Sequence, residues 1–176
     1  MNIKHNFPIM LIVLPTLLVV LLAACSPEKK SAEIVTEAAA QIADFDLPAG
    51  YEPDFTIHML GYSLVSYTPG DNHSHLYLIQ SEKELDGEKL AEMLTQSTPG
   101  DSDWQTRMTV VDTRTATVRG QDVTLVFSKG VDSQGEIYAQ VMAPFKGKGG
   151  PALLVLSEPI ARWKMENVDA FLASIH

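Results

Sequence analysis

Apolar side chains recur at helical spacing in three parts of this chain. A helix is predicted over 31–43, with Ser31 as its N-cap and an apolar face made of Ile34, Val35, Ala38, Ala39 and Ile42. A second helix is predicted over 87–96, where Asp86 is placed to cap it. A third is predicted over 165–175, with an apolar face made of Val168, Phe171, Leu172 and Ile175. Each of these faces is expected to pack against the rest of a domain.

Between these helices, alternating apolar and polar side chains and a run rich in β-branched residues predict β-strands. Phe55, Ile57 and Met59 show this alternation, and Gly61 after them indicates a bulge. The predicted strands cover residues 55–59, 62–67, 73–80, 107–118, 123–127, 136–143 and 152–156. Because strands and helices are segregated along the chain, we expect an α+β domain. In it, an antiparallel sheet of about six strands is covered by helices, which is an α-β-α sandwich.

The first 24 residues have the pattern of an export signal. Lys4 supplies a positive charge, and no charged residue occurs from Phe7 to Ala24. Leu22-Ala23-Ala24-Cys25 resembles the lipobox of bacterial prolipoproteins. That resemblance implies cleavage before Cys25 and lipidation of its sulfur.

A permanent transmembrane helix is the alternative for this segment, because about 18 uncharged residues can span a bilayer. Pro8 and Pro15 weaken a helix there, since proline removes a backbone donor. The single cysteine of the chain also falls at the lipobox position. We therefore expect a signal peptide over 1–24, a lipidated cysteine and tether over 25–30, and one globular domain over 31–176.

Length and charge narrow the classes of function. Without its leader the chain has 152 residues, 12 basic and 22 acidic, which is a net charge of −10 and the length of one domain. An acidic domain is repelled by phosphate backbones, so nucleic-acid binding is not expected. With no cysteine besides Cys25, the domain has neither an internal disulfide nor a thiol nucleophile.

The order of elements and the apolar pattern of residues 45–176 resemble a known fold family. The features are Phe45-Asp46-Leu47-Pro48-Ala49-Gly50-Tyr51, the helix over Glu88–Gln96, and Leu153–Ser157 leading to the closing helix at Phe171. They resemble the extrinsic photosystem II subunit (PsbP-like) α-β-α sandwich and related bacterial lipoproteins. The resemblance implies an accessory or binding protein.

His73 and His75 are the candidate metal ligands. Side chains two apart on a strand point to one face, so both imidazoles are placed to approach one ion. Asp71 or another nearby carboxylate would complete a site for zinc or copper. The alternative is that both histidines sit beside the preceding turn and form local hydrogen bonds or face solvent.

The remaining motifs favour structural roles over ligand binding or catalysis. The run Lys146-Gly147-Lys148-Gly149-Gly150 does not match a phosphate-binding loop and predicts a hairpin connection, although an anion site is the alternative. His58 is expected to be a packed or surface histidine. Trp104 and Trp163 are expected to pack at the core or its rim. Four acidic residues near the first strands are expected to face solvent: Asp44, Asp46, Glu52 and Asp54.

The expected function is non-enzymatic. A membrane-anchored extracytoplasmic lipoprotein would act as a binding or accessory module of the cell envelope, held by the lipid on Cys25 and engaging an envelope protein. Ser26 resembles the outer-membrane sorting signal of a diderm host. The alternative is a small-ligand or metal-binding lipoprotein that uses His73 and His75 with Zn or Cu; the first interpretation needs no cofactor. An envelope hydrolase is the least favoured, because no nucleophile–base set is recognisable.

Overall fold

One antiparallel sheet organises the part of the chain that the computed structural model describes, which is residues 27–70, 73–97, 108–132 and 134–176. Its strands are β1 (Glu52–Met59), β2 (Tyr62–Thr68), β3 (His75–Ser81), β4 (Thr109–Val118), β5 (Gln121–Val131), β6 (Ile137–Lys146) and β7 (Pro151–Pro159). They lie in the order β1-β2-β3-β7-β6-β5-β4. The α+β prediction is confirmed, with seven strands where about six were expected.

Three features of the strands differ from the predictions for identifiable reasons. Gly61 lies in the tight turn between β1 and β2, so it is not a bulge; the irregular register of β1 falls between Pro53 and Thr56. β5 continues past residue 127 to Val131, because its pairing with β6 persists where the apolar pattern stops. β3 begins at His75, which leaves His73 in the connection before the strand.

Three helices accompany the sheet within the described residues: α1 (Pro27–Ala40), α2 (Gly87–Ser97) and α3 (Met165–Ser174). The predicted Ser31 cap is wrong, because α1 already begins at Pro27 and Ser31 lies inside it. The Asp86 cap is confirmed, since its Oδ1 accepts the Lys89 backbone N–H at 2.8 Å. None of the described helices is both long enough and apolar enough to cross a membrane.

The sheet carries an apolar cluster on each face. On one face, α1, the turn after it and α3 bury Val35, Ile42, Val168 and Phe171 in a large core with Leu154 and other strand residues. On the other face, Leu90 of α2 packs in a smaller cluster with Leu64, Tyr77, Ile79, Leu153 and Val155. Alternate side chains of a strand face opposite sides of the sheet, so β3 and β7 supply both clusters. Helices therefore cover both faces, as in the predicted sandwich.

The glycine run between β6 and β7 is a hairpin turn that also holds the end of α1. The Gly147 N–H donates to the Gly150 carbonyl, the Lys148 N–H to the Ile42 carbonyl and the Gly149 N–H to Gln80 Oε1, at 2.8, 2.8 and 2.9 Å. These N–H groups are therefore occupied within the protein and do not form an anion-binding nest. The hairpin prediction is confirmed.

Lys148 also fixes the segment that leaves α1. Its Nζ donates to the Ala40 carbonyl at 2.9 Å and to Asp44 Oδ1 at 2.7 Å. The hydrogen bond from Lys148 lowers the pKa of the exposed Asp44 carboxyl. The chain following α1 is thus attached to the end of the β6–β7 hairpin, from which it runs towards β1.

Candidate functional site

A cleft of about 620 Å³ opens between α3 and residues 46–51, the segment that leads into β1. We refer to it as the α3 cleft. One wall is formed by Leu47, Pro48 and Ala49, and the other by α3 residues that include Asn167 and Ala170. A concavity of this size lies in the range of small-molecule sites.

At one end of the α3 cleft, hydrogen bonds and a ring contact connect the two walls. Asp44 and His176 exchange N–H···O=C hydrogen bonds of 3.1 and 2.9 Å. The Asp46 N–H donates to Ser174 Oγ at 3.1 Å. Phe45 packs edge-on against Phe171 of α3, with ring centroids 5.8 Å apart. The wall segment is therefore held to α3 by side-chain and backbone contacts, and the cleft does not depend on a loose loop.

A second aromatic contact holds the same segment to the sheet. Phe45 also meets Tyr67 of β2 edge-on at 5.9 Å. Tyr67 is only 4% exposed, and burial raises its pKa to about 12. The Tyr67 hydroxyl therefore stays neutral at any physiological pH. The contact between Phe45 and Tyr67 involves no charged group.

At the other end of the cleft, Tyr51 joins the wall segment to β7. Its ring is buried, and its hydroxyl donates to Glu158 Oε1 at 2.8 Å. The Tyr51–Glu158 pair places a carboxylate and a phenol side by side on the lining of the cleft. A hydrogen bond to an ionised acceptor is among the stronger kinds, so the pair also fixes the lining geometry.

The lining combines an apolar floor with a charged rim. Leu156, Val168 and Phe171 are buried core residues that also line the cleft. Arg162 and Lys164, on the connection between β7 and α3, are exposed and basic, and Asp46 and Glu158 bring two acidic groups to the same lining. Such a surface suits a ligand with an apolar part and a polar part.

No local pattern in the sequence marks the α3 cleft. Its walls come from segments more than a hundred residues apart, and none of its side chains belongs to a catalytic motif. The nearest signal is the run from Phe45 to Tyr51, which is part of the family resemblance; most of this run lines the cleft. Asp46 was expected to face solvent, and it is exposed there, as are Asp44, Glu52 and Asp54.

The predicted ligand His73 lies beside two carboxylates from the β5–β6 turn. Ligand atoms of His73, Asp132 and Glu136 all lie within 4.8 Å of one another. His73 Nδ1 is 3.6 Å from Glu136 Oε2, and the two side chains are 45% and 44% exposed. Within the described ranges, this is the group whose residue types and spacing suit a metal ion. Asp71, the carboxylate nearest in sequence, lies outside the described residues.

Tyr138 connects two members of this group. Its hydroxyl lies 2.9 Å from His73 Nδ1 and donates to Glu136 Oε2 at 3.2 Å. Tyr138 is only 7% exposed. Its buried ring therefore holds the hydroxyl in a fixed position beside His73 and Glu136.

His75 has a different environment. Its ring stacks on Tyr77, with centroids 5.5 Å apart and planes 12° from parallel. Burial, and the negative charge of Asp54, raise the pKa of Tyr77. His75 is not a member of the His73–Asp132–Glu136 group. Joint metal binding by His73 and His75 therefore remains a prediction.

A row of polar side chains crosses the sheet from His75. Ser157 pairs with His75, Gln140 with Ser157, and Ser128 with Gln140, on the neighbouring strands β3, β7, β6 and β5. Ser157, Gln140 and Ser128 are buried. Buried polar groups on a sheet face limit the apolar cluster below α2 to one part of that face. Isolated Ser and Gln positions inside apolar strands were the available sequence signal for this row.

The remaining predicted residues have ordinary structural roles where they are described. His58 is exposed, with Nδ1 2.9 Å from Ser63 Oγ. Trp163 packs against the larger core, as expected. The signal peptide, Cys25, Ser26 and Trp104 lie outside the described residues.

No family model and no curated protein matches the chain. Among solved structures, the chain is similar to LpqN, a protein involved in cell envelope biogenesis of Mycobacterium tuberculosis. The sequence identity is 15% and the TM-score is 0.40; the match covers 76% of this chain and 81% of that one. A similarity of this degree carries no inference about function.

Proposed function

We propose that this protein is an exported lipoprotein, anchored through lipid on Cys25, whose domain is a non-enzymatic binding or accessory module of the cell envelope. We further propose that the α3 cleft is its binding site. The lipobox-like run before Cys25 supports the anchor. The observation that carries the binding role is the cleft itself, about 620 Å³ with an apolar floor and a charged rim.

The lining of the α3 cleft favours binding over catalysis. Among its described lining residues there is no histidine and no cysteine. Its serine, Ser174, donates its hydroxyl to the Phe171 carbonyl at 2.7 Å and accepts the Asp46 N–H, so it is not aligned with a base. Glu158 is engaged by Tyr51. The polar groups are thus arranged to orient a ligand, with no activated nucleophile beside them.

The charges of the cleft indicate the kind of ligand. The lining carries charges of both signs, from Arg162 and Lys164 and from Asp46 and Glu158, which favours a polar group on the ligand. Leu47 and Pro48, which are half-buried in the lining, favour an apolar part. We therefore propose an amphipathic molecule, or a protein segment with that character, as the ligand.

Replacing Cys25 by serine tests the anchor. In a bacterium that processes lipoproteins, the natural protein should incorporate an alkyne analogue of palmitate and fractionate with membranes. The Cys25→Ser variant should take up no label, because serine has no thiol to accept diacylglycerol. A variant that is labelled like the natural protein, or a natural protein that takes up no label, contradicts the proposed anchor.

A single introduced cysteine tests occupancy of the cleft. Cys25 is the only natural cysteine, and lipidation would block it, so an added thiol is the sole target of a maleimide. Ala170 and Ala173 are both exposed on α3, but only Ala170 lines the cleft. In membranes, the thiol of Ala170→Cys should react several times more slowly than in the purified, ligand-stripped protein.

The thiol of Ala173→Cys provides the matched control, since it lies on the same helix and outside the cleft. It should react at the same rate in both preparations. Equal rates for Ala170→Cys in membranes and in the purified protein would mean that the cleft is empty in the envelope, and would contradict the proposed binding site.

A further inference from the structure

We propose that His73, Asp132 and Glu136 bind one Zn²⁺ ion at the β5–β6 end of the sheet. This site shares no residue with the α3 cleft and does not depend on the proposed function. The donor set of one imidazole and two carboxylates suits zinc, and its three protein ligands would leave a coordination position for water.

The strand order brings these residues together. β5 ends at Val131 and β6 begins at Ile137, so Asp132 and Glu136 flank the turn between them. β7 lies between β6 and β3, and His73 precedes β3 by two residues. The connection before β3 and the β5–β6 turn therefore lie at the same end of the sheet, one strand apart.

The separations are close to what zinc requires. Ligand atoms about 2.1 Å from a tetrahedral ion lie roughly 3.4 Å from one another. In the structure the three atoms lie within 4.8 Å of one another, and His73 Nδ1 is 3.6 Å from Glu136 Oε2. His73 and Glu136 are nearly half exposed, so rotation of their side chains would bring their ligand atoms to one ion beside Asp132.

Each ligand is already oriented by neighbouring groups. Asp132 Oδ1 accepts the N–H groups of Gln134 and Glu136, both at 2.8 Å, which leaves its second oxygen for an ion. The buried Tyr138 hydroxyl contacts both His73 and Glu136. His73 Nδ1, the atom that lies 3.6 Å from Glu136 Oε2, is the coordinating atom of the proposed site, and Tyr138 would then donate to Glu136. Such outer hydrogen bonds typically tune metal affinity by about 10–100-fold.

Charge and donor type select the ion. Two carboxylates and a neutral imidazole match the charge of a divalent cation. The imidazole nitrogen favours Zn²⁺ over Ca²⁺ and Mg²⁺, which prefer oxygen ligands. His75 stacks on Tyr77 and is not part of the proposed ligand set.

Isothermal titration of the full lipidated protein in mild detergent, untagged and freed of metal by a chelator, tests this assignment with ZnCl2 as the probe. One equivalent of Zn²⁺ should bind, and CaCl2 should bind much more weakly. Glu136→Gln and His73→Ala should each weaken binding at least about tenfold. Both residues are exposed, so the variants should fold; their thermal unfolding is compared with that of the natural protein. Co²⁺ in the same site should show visible absorption that is lost in His73→Ala.

Two control variants separate this site from other histidines. His58→Ala removes an exposed histidine elsewhere, and His75→Asn removes the neighbour of His73; both should keep the affinity of the natural protein. The assignment is overturned if the natural protein binds no Zn²⁺, or if His73→Ala binds as tightly as the natural protein. It is also overturned if either control variant loses as much affinity as His73→Ala, or if Ca²⁺ binds as well as Zn²⁺.

Discussion

Replacing Gly150 by alanine should destabilise the domain by more than about 3 kcal/mol. Gly150 has φ +153, and a Cβ built on it would lie 2.1 Å from the Ser81 carbonyl oxygen. That oxygen belongs to the backbone at the end of β3, so it cannot turn aside as a flexible side chain would. The β6–β7 turn would have to move away from β3 and from the end of α1 that Lys148 holds. Urea unfolding followed by circular dichroism measures the loss.

Gly120→Ala is the matched control for this substitution. Gly120 also has a positive φ, +72, but a Cβ there meets nothing within 4 Å. Its replacement should cost only about 1–2 kcal/mol, from the backbone conformation alone. Equal losses for Gly150→Ala and Gly120→Ala would show that the close approach of Ser81 is unimportant.

Leu154→Ala should cost about 2–5 kcal/mol. Leu154 is fully buried in β7, the central strand of the sheet, and belongs to the core beneath α1 and α3. Removal of its side chain leaves a cavity that the surrounding strands and helices cannot fill. The loss should appear in the free energy of unfolding by urea, with little change in the m-value.

Leu60→Ala gives the comparison within the same residue type. Leu60 is 78% exposed at the tip of the β1–β2 hairpin, so its truncation should change stability by less than about 0.5 kcal/mol. A loss at Leu154 no larger than the loss at Leu60 would contradict the position assigned to β7 at the centre of the core.

The fold class was predictable because its signals are local. Alternating side chains at Phe55, Ile57 and Met59 marked the first strand, and periodic apolar residues marked the helices. The pattern failed where the local signal was weak. β5 was predicted too short because Ser128, Lys129 and Gly130 interrupt its apolar run, although these residues still pair with β6. The start of α1 was misplaced because a serine favours an N-cap and here lies inside the helix.

The candidate sites were less predictable because strand order creates them. His73 was identified from its neighbour His75, but its carboxylate partners Asp132 and Glu136 come from a turn that only the β3-β7-β6-β5 order brings near. In the α3 cleft, Tyr51 and Glu158 are hydrogen-bonded although they lie 107 residues apart in the sequence. No periodicity within either segment encodes that contact.

The two proposals assign separate roles to separate surfaces. The α3 cleft offers an amphipathic site beside α3, whereas the His73 group lies at the β5–β6 turn. A zinc ion at that turn would tie the connection before β3 to the hairpin, and it would leave the cleft unchanged. Failure of the zinc titration would therefore leave the cleft proposal standing, and failure of the cleft experiments would leave the zinc site to be judged by its own titration.

Photo-crosslinking in living cells tests the central claim, ligand binding in the α3 cleft, most directly. A diazirine-bearing lysine analogue is placed at position 164, on the rim of the cleft, or at position 83, an exposed lysine outside it. The account predicts that irradiation gives a defined adduct at position 164, identified by mass spectrometry, and only background at position 83. No adduct at position 164, or equal yields at the two positions, would contradict a binding role for the cleft.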